Sequence, residues 1–301
     1  MATSISTAPL ITRVATRPSA PAATYYRRGR EHAARVRGFP KDLGLNLRYF
    51  GGKTLDRVVY TNVYLGRWSS DDRRRIDDAL AAAMTDRNLN NVLAQYFEGD
   101  VTAEFVPSRV LDAPVPDRVY RDGVEEVVQA LGALDANVVC LLLPRGAVLV
   151  DGTAREEGPD SEHGLGGYHG SVHRADGMLY YGVSVYSEGR NGIAVFDEPW
   201  KNVCATLYHE LCEIRTDPDV EDAIRAGDDP HATSFLGWYS PHGGEIGDIP
   251  VDAAGANLAA VFVEVPRAEG EGTVPVQLQW SNAVGGPERP IARKHRPAAR
   301  A

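Results

Sequence analysis

Cysteine is scarce in this 301-residue chain, and its three copies, Cys140, Cys204 and Cys212, include no CxxC pair. An odd number without that spacing provides neither a disulfide framework nor a thiolate zinc site, and it fits a reduced, cytoplasmic protein. Long apolar runs are also missing. The longest candidates, such as residues 138–143, have the length of a strand, so a soluble chain with no membrane-spanning helix is expected. Neither a Walker-type phosphate loop nor a GxGxxG following a strand occurs, which leaves nucleotide chemistry without support.

Positive charge is thin where it would matter for a nucleic-acid binder. Residues 1–45 hold eight Lys or Arg against two acids, and residues 286–301 hold five against one. Of the chain's 32 basic and 41 acidic residues, 19 and 38 lie between those two segments, so the body is far more acidic than the net charge of −9 conveys. Such a body argues against nucleic-acid partners and suits hard cations or basic peptides.

The segment 1–45 starts rich in Ala, Ser, Thr, Pro and Arg, with its first acid at Glu31 and no apolar core of a secretory signal. It is expected to be a disordered basic extension, and a transit-peptide reading of the same composition stands beside that one. The tail 286–301, with Pro287, Pro290 and Pro297, is expected to stay outside the fold as well. One α/β domain over 46–285 remains, with 43% hydrophobic residues in the whole chain and length enough for a sizeable core.

Within that domain, residues 58–65 alternate like a strand, and Ser69-Ser70-Asp71-Asp72 offers capping side chains before a helix reaching Met84. A short helix is expected over 88–96, a strand near 102–110, a helix over 122–131 and a buried strand over 137–143. After the Gly-rich stretch 164–170, read as a loop holding His169 and His173, a strand is expected over 177–186 and the longest helix over 198–216. Strands alternating with helices predict a mixed sheet covered by helices.

The long helix carries the chemistry. Val203, Leu207, Leu211 and Ile214 form one apolar stripe, whereas His209 and Glu213, four residues apart, project side by side from another face. That is the spacing at which two helical side chains share a metal ion. Glu210 takes the place of the general base in HExxH hydrolases, where it accepts a proton from a water polarised by the ion. Here a carboxylate replaces the second histidine, so a further ligand is needed. Glu245, in Gly243-Gly244-Glu245-Ile246-Gly247-Asp248, is the leading candidate, with Asp217, His242 and Asp248 behind it. Zinc is the expected ion. A calcium site made of Asp217, Asp219, Glu245 and Asp248 in a non-catalytic binding protein is the alternative. Two plainer readings accompany these: solvated acids paired with Arg215, and a thiol–imidazole pair of Cys212 and His209.

The string HELCEIRTDPD, followed by GWYSPHGGEIGD and by Trp280-Ser281-Asn282-Ala283, resembles bacterial relatives of the EXORDIUM (phosphate-induced) protein family. The resemblance spans roughly residues 55–285 and implies a zincin-like α/β (α+β) fold in which an antiparallel edge strand binds extended peptide beside the metal helix. It implies a peptide or protein substrate. Residues 177–183 are the expected edge strand, and His169, Tyr181 and Trp238 the expected substrate contacts. The family's plant members are secreted, and Ile249-Pro250 stands where relatives carry a cysteine, so secretion and disulfide bonding are not implied for this chain.

Overall fold

Alternating branched and aromatic residues in Arg57–Leu65 (β3) make the middle strand of an eight-stranded mixed sheet. The computed structural model describes residues 12–14, 20–25, 32–156, 158–175 and 177–291. The other strands of the sheet are Thr12–Val14 (β1), Ala20–Tyr25 (β2), Val101–Phe105 (β4), Arg109–Leu111 (β5), Val138–Leu142 (β6), Gly167–Arg174 (β7) and Gly177–Ser184 (β8). Their order is β1-β5-β3-β6-β8-β7, with β4 pairing beside β5 along the same side of β3 and β2 outside β4. The inner pairs β3–β6 and β6–β8 are parallel, and β7 closes one side antiparallel to β8. All five residues of β6 are buried, as a parallel strand covered on both faces requires.

The antiparallel edge strand is therefore β7, not the segment 177–183. That segment lies one place further in and is parallel to its inner neighbour. Of the glycines that made 164–170 look like a loop, Gly167 opens the edge strand and Gly170 lies within it. Gly167 is needed there for space, since a Cβ on it would lie 3.0 Å from Glu210 Oε1 and 2.3 Å from the Val183 carbonyl oxygen.

Helices cover both faces. Ser70–Met84 (α1) starts at Ser69, whose Oγ accepts the Asp72 N–H at 2.9 Å, and its first turn carries Asp71 and Asp72. On the same face lies Pro199–Thr216 (α3), which opens on proline and stops before Pro218. Arg121–Ala130 (α2) packs on the opposite face through Val124, Val127 and Val128. The hairpin of Phe262–Pro266 (β9) and Thr273–Gln277 (β10) contacts the far side of α3. Helix α3 is thus enclosed by sheet, α1 and hairpin, and its stripe Val203, Leu207, Leu211 and Ile214 is fully buried. Each such side chain removed from water contributes about 1.5–3 kcal/mol.

The basic segments expected to lie outside the domain contribute strands where they are described. β1 and β2 pair with the sheet, and Gly286–Arg289 pairs with Trp280–Ser281 and with Ala34–Arg35. Unpaired backbone groups along these elements supply the partners that a composition reading could not see. No helix among the described residues is long and apolar enough to cross a membrane.

Candidate metal centre

Three segments far apart in sequence meet at the C-terminal half of α3: the helix itself, β7, and the turn leading into Asp248–Ala254 (α4). Glu210 and Glu213 are 3% and 2% exposed, which removes the reading of them as solvated acids. Arg215 is buried and donates to the carbonyls of Leu55, Asp56 and Thr102. Cys212 is buried too, and burial pushes its thiol up to about 12, so no nucleophilic thiolate stands beside His209.

Glu213 is the hub. Its Oε1 accepts the backbone N–H of Gly247 at 3.1 Å and of Asp248 at 3.2 Å. Its Oε2 lies 3.0 Å from His209 Nε2 and 3.6 Å from His169 Nδ1. The close approach of the turn depends on glycine, because a Cβ at Gly247 would sit 2.5 Å from His209 Nδ1 and 2.9 Å from Glu213 Oε1. Burial disfavours the Glu213 carboxylate, yet His209 beside it prevails and holds its pKa near 2.

His209 is oriented from behind. Gln277 on β10 donates its Nε2 to the carbonyls of Gly247 at 3.1 Å and Leu278 at 2.6 Å, which turns its Oε1 toward the ring. Gln279 donates to that same Oε1 at 2.8 Å, so the 3.0 Å contact with His209 is made by Nδ1–H as donor. Nε2 is left to face Glu213 and, at 3.7 Å, Asp248 Oδ1. This outer contact is the kind that fixes the tautomer of a metal-ligating histidine. Burial works against the imidazolium, but Glu213 and Glu210 raise its pKa to about 10, so a proton occupies Nε2 in the absence of a cation.

His169 reaches the same place from β7. Its Nε2 is 3.1 Å from the Asp217 carbonyl oxygen and 3.6 Å from Glu245 Oε1, and its Nδ1 is 3.4 Å from Glu210 Oε2. Two groups of ligand atoms result, each mutually within 4.8 Å: His169, Glu213 and Glu245, and His209, Glu213 and Asp248. The trio of His209, Glu213 and Glu245 anticipated from sequence is thereby divided. Glu245 faces His169, and Asp248 completes the group of His209. Glu210 belongs to neither, although its Oε1 lies 4.0 Å from His209 Nε2.

Other expected site residues fall elsewhere. His242 is exposed in the turn closed by the Gly243 N–H to the Ser240 carbonyl. Tyr181 faces α2, on the opposite side of the sheet, where its hydroxyl donates to Glu125, because consecutive residues of a strand point to opposite faces. Trp238 is half-buried between Tyr49 and Tyr96, next to Gly237, whose N–H bonds Asp217 Oδ1 at 2.7 Å. Gln277 was not anticipated at all. Its only sequence trace is a polar residue at the end of a buried strand.

Burial pushes the carboxyl of Asp217 up to about 7 against the opposing Gly237 hydrogen bond. A raised carboxyl stabilises the fold fully below its usual value of 3.8, and that contribution disappears as pH rises through about 7. The raised His209 contribution declines in the same sense between 6.5 and about 10, whereas the depressed Glu213 matters only below 4.5. Metal-free protein is therefore expected to melt at a lower temperature at pH 8 than at pH 5 when thermal unfolding is followed with a chelator present. An equal or higher Tm at pH 8 would contradict this charge arrangement.

No protein-family model, curated protein or solved structure matches this chain.

Proposed function

We propose that the chain is a zinc-dependent hydrolase of peptide bonds, with the ion held by His209, Glu213 and Asp248 and with Glu210 as general base. The observation that carries this reading is the His209 ring, whose Nδ1 is engaged by Gln277 while Nε2 faces Glu213 and Asp248. An imidazole with two carboxylates suits zinc better than calcium, which prefers oxygen alone. Asp219, needed for the oxygen-only alternative, belongs to neither ligand group. A zinc ion there would supply Lewis acidity, polarising a carbonyl or a water.

Glu210 is buried beside both histidines without joining either group, which suits a proton carrier rather than a ligand. Desolvation raises its pKa, and a carboxylate poised in this way accepts a proton and returns it to a leaving amine. β7 has no strand beyond it among the described residues, so its outer backbone groups can take an extended peptide in register with the site. The resemblance to EXORDIUM relatives is part of the same proposal.

Elemental analysis of full-length protein purified without an affinity tag tests it. Wild type is expected to carry zinc and to cleave an unfolded protein substrate such as casein in a chelator-sensitive manner, with His209→Ala losing that cleavage. Calcium in place of zinc, or cleavage indifferent to chelator, would overturn the assignment.

A further inference from the structure

Glu245 is 6% exposed, yet among the described residues its Oε1 has no hydrogen-bond partner, and the fully buried Asp217 leaves Oδ2 equally unpartnered there. A buried carboxylate oxygen left unsatisfied has lost its water without compensation, so such atoms call for a ligand. The ion pairs of Glu210, Glu213, Glu245 and Asp248 run to His169 and His209. With Asp217, five carboxylates converge on two imidazoles. With the carboxylates ionised and both imidazoles neutral, as metal ligands must be, one divalent cation leaves this assembly well short of neutrality and two bring it within a single charge.

We propose that the site binds two divalent cations bridged by Glu213, the second held by His169, Glu213 and Glu245. This rests on the hydrolase reading for the first position and extends it. Glu213 is the one residue common to both ligand groups. Its Oε1 is held by two backbone N–H groups, which presents Oε2 to the imidazole of each group from a fixed direction. His169 and His209 fall in different groups, so each imidazole has its own carboxylate beyond the shared one: Glu245 for the first, Asp248 for the second. The two positions differ in access. His169, Glu213 and Glu245 are all buried, whereas the Asp248 side chain is 47% exposed. The enclosed cation serves as the permanent partner of the bridge, and the open one faces substrate. Paired cations about 3.5–4 Å apart stabilise both the attacking and the leaving atoms of a displacement.

Zinc-free full-length protein titrated with zinc against a chromogenic chelator provides the test. Two equivalents are expected in wild type, falling to one in Glu245→Gln and to one in Asp248→Asn. Cobalt(II) loading supplies a readout independent of activity: the electron-spin resonance signal of the first equivalent should weaken as the second couples to it across the carboxylate. One equivalent in wild type overturns the second position while leaving the hydrolase reading intact, and none overturns both. Two equivalents retained in Glu245→Gln would refute the assignment of Glu245.

Discussion

Glu210→Gln is expected to reduce peptide hydrolysis about 10²–10⁴-fold while zinc content and Tm remain at wild-type values. The exchange conserves shape and removes only the capacity to take up a proton. Glu210 stands outside both ligand groups, so its loss should not loosen a cation. Its surroundings are buried and its carboxyl is already raised by desolvation, so a neutral amide is no worse housed there than the acid. The acidic limb of the pH–rate profile should vanish along with the activity, because that limb reports the base in the free enzyme. Activity within a factor of two of wild type would remove Glu210 from the chemistry, and loss of zinc would move it into the ligand set.

The same exchange three residues further along the helix should give the opposite signature. Glu213→Gln is expected to weaken zinc binding at least about 100-fold at both positions, beyond the 10–100-fold typical of outer contacts, and to remove hydrolysis with it. An amide in this place must turn an NH₂ either toward the N–H groups of Gly247 and Asp248 or toward His209 Nε2. Both arrangements set donor against donor. In the metal-free protein the change also leaves the His209 imidazolium without its nearest counter-charge, and breaking such a buried pair costs about 3–5 kcal/mol. Zinc titration and thermal unfolding, run beside Glu210→Gln, would separate the two roles. Near-wild-type zinc affinity in Glu213→Gln would refute its place as the hub.

Some of this centre was legible in the sequence because it is local. The i, i+4 spacing of His209 and Glu213, the stripe of Val203, Leu207, Leu211 and Ile214, and the stop at Asp217-Pro218 all follow from helix geometry, and the structure has them as read. A mixed sheet was equally readable from the alternation of elements, whereas its antiparallel edge was expected from the family resemblance. Which strand forms that edge was not readable, since glycines at 164, 166, 167 and 170 resemble loop composition until it is known that the helix crowds Gly166 and Gly167. The same loop reading set His169 among substrate contacts, with no sign of the carboxylates of Glu213 and Glu245 that it meets. Tyr181 shows the cost of choosing a face on a strand buried on both sides, where hydrophobicity carries no alternation. The division of Glu245 from His209, and the part taken by Gln277, depend on contacts 36 and 68 residues distant from the helix histidine, and no local pattern encodes them.

The amide of Gln277 ties the pose of His209 to a segment synthesised after both histidines and all the carboxylates around them. A nascent polypeptide completed through Ala254 but not through β10 possesses both histidines and every carboxylate, yet its His209 ring lacks the acceptor that holds Nδ1. The ring is thus set for the proposed outer cation only when the β9–β10 hairpin docks, and a chain released before that would carry the same side chains without their arrangement.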